Sequence, residues 1–337
     1  MTIDKQARVN SLEALPHGPL KKTRPVMATY NSKLTVLLTL CFFAMLAPSK
    51  AGRPWPRQSK NLSPELGKAG IMEPATGRPK AVLVCLHGIQ SNRDWWVPLG
   101  EELVSRGVAV WAFNRPSSGN PPPPGPADVT SKDLHEWAGH MNIVNAAVRQ
   151  RYGDVPVFAT GVSWGASPAL LASRGNGDQK NAVWAGAILL NPAFKTKRDW
   201  AFGVNLIRHI LPWNWTRSIH VPLRTCDYTD QNATKGKYLQ DEQLKMTVTY
   251  EFLKKTKRVK SEAVKQLKDP GPRVLILVGA ADPLAPPCLF YRATGLREQE
   301  TEPLTVKYVP NATHAAIVEQ EKRVIAEEIV RWITKQR

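Results

Sequence analysis

Cysteine is scarce: four residues in 337 are too few to staple a disulfide scaffold. No CxxC pair and no HExxH run is present, which argues against a structural zinc module. No apolar run reaches about 18 residues, and mean hydropathy is −0.31, so a polytopic membrane protein is excluded. Acidic residues are also short: 28 Asp and Glu face 46 Lys and Arg, for a net charge of +18. That excess permits nucleic acid, an anionic membrane or an acidic substrate as partner and selects none of them. No RNP, helix-turn-helix or finger pattern accompanies it, so nucleic acid is not expected. No internal repeat is found. What remains is ordinary: 42% hydrophobic and 22% charged residues, which excludes a wholly disordered chain. The length suits one large domain or two small ones.

Residues 34–47 read LTVLLTLCFFAMLA, shorter than the roughly 20 that a spanning helix needs. Lys21, Lys22, Arg24 and Lys33 precede the run, and Ser49-Lys50-Ala51 closes it as an A-x-A-like cleavage site. This is the anatomy of a secretory signal peptide over 1–51, with Met27 as the start that gives the usual length. Export to a secreted or periplasmic location is expected; an uncleaved anchor or a buried helix is the alternative. Leu40 before Cys41 does not fit a lipobox. Residues 52–80, rich in Pro, Lys and Gly, read as a linker and irregular lead-in. Cys85 lies in a strand pattern and reads as a small core residue, whereas Cys226 and Cys288 could pair in an oxidising compartment.

From residue 81, short β-rich runs alternate with longer helical patterns. Ala81–Leu86 is a continuous apolar run, as in a strand buried on both faces. Val108–Phe113, 155–160, 184–190 and 274–278 read as further strands, and Leu304–Val309 alternates like an outer one. Helices are expected over 97–106, 131–151, 164–173 and 315–334. Repeated strand–helix units of this length predict an α/β fold, a mostly parallel sheet covered on both faces. The core is expected over 81–193 and 270–337. Between them, 194–269 passes without a buried strand, is rich in aromatics, and carries 16 Lys and Arg against 7 Asp and Glu over 195–268. It reads as a helical cap over the strands' carboxyl ends, where open parallel sheets place their sites; a peripheral lobe is the alternative. Its basic run Lys254-Lys255-Thr256-Lys257-Arg258-Val259-Lys260 lies on an amphipathic helix with Val248, Phe252 and Val264. Such a face is either solvated or rests on an anionic membrane as a peripheral contact, and the solvated reading is preferred.

Three residues stand where chemistry needs them. Ser163 sits in Gly161-Val162-Ser163-Trp164-Gly165, between a strand and a helix, which is the context of a nucleophile elbow. Small residues two positions away on either side are what so sharp a turn requires. Asp282 follows the strand 274–278, and His314 follows Leu304–Val309. Each lies past a strand's carboxyl end, so all three can converge on one edge of the sheet. The order Ser, Asp, His is the one this architecture uses, with the carboxylate fixing the imidazole tautomer and the imidazole moving the serine proton. The other place for an acid, one strand earlier, is Asn191-Pro192 and carries none. Asp269 precedes its strand. His135 and His140 fall in a helix, and His209 and His220 fall in the cap.

With these motifs in place, the chain from about 80 to 335 resembles the α/β-hydrolase superfamily. Within it, the chain is similar to the lysophospholipase or monoacylglycerol lipase-like branch, grouped with serine aminopeptidase-like hydrolases. The motifs are LHGIQSNRDWW (86–96), GVSWGAS (161–167), VLILVGAADPLAPP (274–287) and NATH (311–314). The resemblance implies hydrolysis of a small-molecule ester, thioester or amide through an acyl-enzyme, with no cofactor and no metal. It also implies an oxyanion hole from the backbone N–H groups of Ile89 and Trp164, with His87 shaping the loop. One departure is plain: the branch's Asp-x-Arg-Gly-x-Gly run reads Asn114-Arg115-Pro116-Ser117-Ser118-Gly119 here, so the loop at the site mouth is remodelled. Trp164 also occurs after the nucleophile in proline iminopeptidase-like members, which leaves an aminopeptidase open, although the cap shows no acidic cluster for an amino terminus. A non-catalytic binding protein is the remaining alternative. The sequons at Asn232 and Asn311 are discounted, the second because a glycan would crowd His314.

Overall fold

The computed structural model describes residues 58–119, 123–175, 183–201, 203, 218–239, 246–269 and 271–335. The expected signal segment lies outside them. Eleven strands run along the described chain: β1 (Gln58–Asn61), β2 (Lys68–Met72), β3 (Ala81–Leu86), β4 (Val108–Phe113), β5 (Val157–Val162), β6 (Gly186–Leu190), β7 (Ile219–His220), β8 (Thr247–Val248), β9 (Val274–Gly279), β10 (Gln299–Thr301) and β11 (Leu304–Val309). Nine form one sheet in the order β1-β2-β4-β3-β5-β6-β9-β11-β10. The central pairings, from β4 through β3, β5, β6 and β9 to β11, are all parallel. β3, β4, β5, β6 and β9 are buried at every position, as their unbroken apolar sequences require when helices cover both faces. Strand order reverses at β3, which has β4 on one side and β5 on the other. That reversal opens a crevice at the carboxyl ends.

The helices are α1 (Val97–Val104), α2 (Glu136–Tyr152), α3 (Ala166–Ser173), α4 (Asn232–Tyr238), α5 (Tyr250–Gln266), α6 (Pro287–Thr294) and α7 (Lys322–Thr334). α1 packs with α7, and α3 packs between α2 and α5. None of the described helices is long and apolar enough to cross a membrane.

Several sequence expectations need correction. The lead-in 52–80 is not all linker: β1 and β2 form an antiparallel hairpin that extends the sheet beyond β4. Its small residues hid it, yet Ala69 to Met72 are all buried and Ile71 pairs with Trp111. Leu304–Val309 is not the sheet edge, because β10 pairs outside it. The helix expected over 315–334 is a short 3-10 turn at Ala316–Val318 and then α7. The break falls at Glu319, which is extended and whose carboxylate accepts the Thr313 hydroxyl at 2.6 Å. The segment 194–269 does hold a two-stranded ladder, β7 with β8, which Ala127 joins by a bridge to Val248.

The basic run on α5 is not one solvated face. Thr249 caps the helix by accepting the Phe252 N–H, and Phe252, Leu253, Lys255, Val259 and Ala263 are buried. Lys255 is only 7% exposed and pairs with the Glu136 carboxylate at the start of α2. The same carboxylate accepts Thr130 N–H (2.9 Å), Thr130 Oγ1–H (2.5 Å) and Ser131 N–H (3.2 Å). Burial alone would raise the pKa of Glu136, but Lys255 and Thr130 together pull it below the usual range. This pair fastens α5 to the core. Removing one member strands the other in a dry site, so Lys255→Ala is expected to destabilise the protein by about 3 kcal/mol or more. Lys254→Ala, one residue away in an exposed pair with Glu251, is expected to cost less than about 1 kcal/mol. Urea unfolding of the two variants checks this; equal effects would contradict it.

Candidate active site

The turn after β5 is closed so tightly that its sequence is dictated by contact. Ser163 takes φ of 56°, a left-handed conformation uncommon for a side-chain-bearing residue. A Cβ at position 161 would lie 2.1 Å from the Gly165 carbonyl oxygen. One at 165 would lie 2.6 Å from the carbonyl oxygens of both Leu86 and His87. Glycine at both positions is therefore a steric necessity, and the turn feeds directly into α3 through a 3-10 turn at Ser163–Gly165.

Loops following β9 and β11 bring two side chains to the serine. His314 Nε2 lies 2.8 Å from Ser163 Oγ, and His314 Nδ1 lies 2.7 Å from Asp282 Oδ2. The other carboxylate oxygen, Asp282 Oδ1, accepts the N–H groups of Leu284 and Ala285, each at 2.8 Å. The imidazole and carboxylate are almost fully buried, at 1% and 0% exposure. All three residues singled out in the sequence thus meet in one hydrogen-bonded line. Such a line lets an imidazole accept a serine proton while a fixed carboxylate holds the tautomer.

Ile89, Ser163 and Trp164 line one cavity, and a Cβ at Gly88 would sit 3.4 Å from Ser163 Cβ. The loop carrying Ile89 therefore lies against the serine. Among the described residues, neither the Ile89 N–H nor the Trp164 N–H has a hydrogen-bond acceptor. Trp164 is the second residue of the 3-10 turn, whose first N–H groups have no partner within it.

Two features here have no local sequence signature. Asn191, after β6 at φ 44°, accepts the Gly279 N–H (2.7 Å) and donates to the Thr313 carbonyl (2.7 Å). It ties the start of the Asp282 loop to the residue before His314. Arg115 is 2% exposed. It donates to the Ile89 carbonyl at 2.6 Å, and its guanidinium lies 5.4 Å from the Trp164 ring centroid and 5.3 Å from that of Phe252. Burial pulls its pKa down to about 9, which leaves it charged at neutral pH. In the remodelled loop, Asn114 Oδ1 accepts the Arg93 N–H at 2.9 Å, work that needs an acceptor and not a charge. Tyr228 lays its ring against His314, with centroids 5.8 Å apart, and donates its hydroxyl to Gln90 at 2.8 Å.

His87 is fully buried, with Nδ1 2.7 Å from the Gly88 carbonyl and Nε2 3.3 Å from the Arg115 N–H. It shapes the loop, as its sequence position suggested. Cys226 and Cys288 are both free and exposed, so the pairing considered for them is not formed. Among the described residues, no group of three or more His, Cys, Asp or Glu could hold a metal ion.

Burial, with Arg115 nearby, pushes the pKa of His87 down to about 3. A histidine whose pKa falls on folding stabilises the fold above its unfolded value, and that share is lost as pH drops toward the folded one. Unfolding free energy is therefore expected to fall from about pH 6.5 downward, by up to ~1.4 kcal/mol per pH unit from this group. His87→Asn is expected to flatten that slope in urea titrations between pH 6.5 and 4. An unchanged slope would count against the buried neutral imidazole.

Comparison with known proteins bears on the family and the fold. Residues 77–321 match the model of the serine aminopeptidase S33 family. No curated protein matches in sequence. Among solved structures, a monoglyceride lipase from Saccharomyces cerevisiae is similar with a TM-score of 0.64 at 17% identity, over 86% of this chain and 98% of that one. A monoacylglycerol lipase from Paleococcus ferrophilus gives 0.61 at 20% identity, over 79% and 98%. A carboxylesterase from Bacillus subtilis gives 0.51 at 17%, over 84% and 94%. At these identities the likeness speaks for the fold. With its parallel sheet, elbow turn and family match over most of its length, the chain belongs to the serine aminopeptidase S33 family of α/β hydrolases.

Proposed function

We propose that the protein is a serine hydrolase that cleaves carboxylic esters through an acyl-enzyme. The unbroken line Ser163–His314–Asp282, at 2.8 and 2.7 Å, carries this reading. Ser163 Oγ attacks the ester carbonyl while His314 Nε2 takes its proton. Asp282 holds the imidazolium through Nδ1, and the N–H groups of Ile89 and Trp164 receive the oxyanion. Collapse breaks the acyl–oxygen bond, and His314 returns the proton to the departing alcohol. A water, deprotonated by the same imidazole, then frees the acid and restores Ser163. A cavity of about 530 Å³ opens from the serine between Phe194, Leu223, Leu253 and Leu284, a lining suited to an acyl chain. The 34–51 segment supports export of the mature chain.

The family's description favours a second reading, an aminopeptidase. A free amino terminus calls for a carboxylate, and among the described residues the cavity lining holds only Asp199. Asp199 already accepts the Thr196 hydroxyl (2.7 Å) and the Lys260 ammonium (3.3 Å), so the ester reading is preferred.

A fluorophosphonate probe is expected to label Ser163 and to lose labelling in Ser163→Ala. Absence of labelling in the wild type would remove the proposal. His314→Ala is expected to lower kcat for a p-nitrophenyl ester by about 10⁴-fold or more, and Asp282→Asn by roughly 10³–10⁴-fold. Faster turnover of an amino-acid anilide than of any such ester would reverse the choice between the readings. Asn191→Ala is expected to lower kcat by roughly 10–100-fold with little change in KM, because it loosens both loops without touching the cavity. A change confined to KM would argue against that role.

A further inference from the structure

We propose that the ester substrate carries a second, anionic group, a carboxylate or a phosphate, held in the cavity away from Ser163. The inference rests on the ester-hydrolase reading and specifies its substrate class. One face of α5 lines the cavity, with Leu253, Lys257, Lys260 and Val264 recurring at three- and four-residue spacing. The near end of this face is pinned beside the nucleophile, where Thr256 Oγ1 accepts the Trp164 indole N–H at 3.2 Å. A rise of 1.5 Å per residue places Lys260 about 6 Å, and Lys265 about 14 Å, further along the helix axis. Lys257 thus lies near the Thr256 end of this face, with Lys260 and Lys265 progressively further from it.

Lys195 and Arg292 join Lys257, Lys260 and Lys265 in the lining, so among the described residues five cations face one carboxylate, Asp199. Asp199 is held by Thr196 and Lys260. Lys265 has only an exposed contact with Glu262 at 3.8 Å, which is worth little. Among the described residues the ion pairs of this lining are Lys260 with Asp199 and Lys265 with Glu262, and Lys195, Lys257 and Arg292 join neither. A pocket for a wholly neutral acyl ester gains nothing from such a lining, because the cations repel one another and the ligand leaves them unpaired. An anionic group removes that repulsion and is drawn into a concave site by the same field. Burial lowers the pKa of Lys260, with Asp199 opposing, and a second anion would oppose that lowering further.

Two matched pairs of substrates test this on the intact chain. The first sets p-nitrophenyl monoesters of α,ω-dicarboxylic acids against the same esters capped with methyl, which puts the anion on the acyl side. The second sets a 1-acylglycerol 3-phosphate against the 1-acylglycerol, which puts it on the alcohol side. At low ionic strength the anionic member of at least one pair is expected to show about tenfold higher kcat/KM, mainly through KM. The favoured pair identifies which side of the ester bears the charge. Lys257→Gln/Arg292→Gln, at two exposed positions, is expected to lose most of the preference. Arg258→Gln, on α5 but outside the cavity lining, is expected to keep it.

Absence of preference in both pairs would overturn the proposal, as would equal loss in Arg258→Gln, which would assign the effect to the general surface field. If neutral esters are hydrolysed and Ser163 is labelled under those outcomes, the ester reading stands and only the anionic subsite falls. If no ester of either kind is hydrolysed and Ser163 is unlabelled, both fall.

Discussion

The site depends on one contact: the carbonyl oxygen of Gly165 occupies the space that a side chain at 161 would need, 2.1 Å from where its Cβ would be. Closing the chain so tightly forces Ser163 into positive φ. The conformation is sustained because everything around it is packed, with β5 and α3 buried at every residue. One rigid turn therefore presents both the serine hydroxyl and the Trp164 N–H. The turn fixes where the serine Cβ and the Trp164 N–H lie, and the hydrogen bond to His314 Nε2 sets the hydroxyl. The loop after β3 needs only to approach, and Gly88 lets it come against the serine's Cβ.

A basic chain must still place the cations that enter its interior, and here they support the junction of α2, α3 and α5. Trp137, Trp164 and Phe252 form an aromatic cluster with centroids 4.7 to 5.9 Å apart. Arg115 sits over two of these rings and Lys255 over Trp137 at 5.1 Å. Lys255 is balanced by Glu136, whereas Arg115 is met by the carbonyls of Ile89 and Pro116. Trp164 is thus packed between α2 and α5. Displacement of α5 would be felt at Trp164 before it reached the serine.

Much of this was legible in the sequence. Ala81–Leu86, Val108–Phe113 and Leu304–Val309 are strands over those bounds because their composition suits the environment they meet. Ser163, Asp282 and His314 were legible because each lies just past a strand or in a turn with steric demands of its own. β2 was not: Gly70 and Ala69 have almost no side chain to show a pattern, and its burial comes from pairing with β4, some 40 positions away. Lys255 read as part of a solvated face, and Arg115 only as a member of a remodelled loop, because burial of a cation depends on distant partners, Glu136 for one and aromatic faces for the other. Asn191 was noticed only for lacking an acid, and its two long-range hydrogen bonds leave no trace in neighbouring residues.

That asparagine has a consequence for how such a site can change over generations. Its amide donates through one atom and accepts through the other, so it can strap two loops that each offer a different kind of group. An ionised carboxylate in its place would still welcome the Gly279 N–H but would confront the Thr313 oxygen with like charge. Relocating the acid from β9 to β6 is therefore not a single exchange. An acid arriving at 191 would keep the Gly279 half of the strap and lose the Thr313 half, so the amide acts as a latch on the present arrangement.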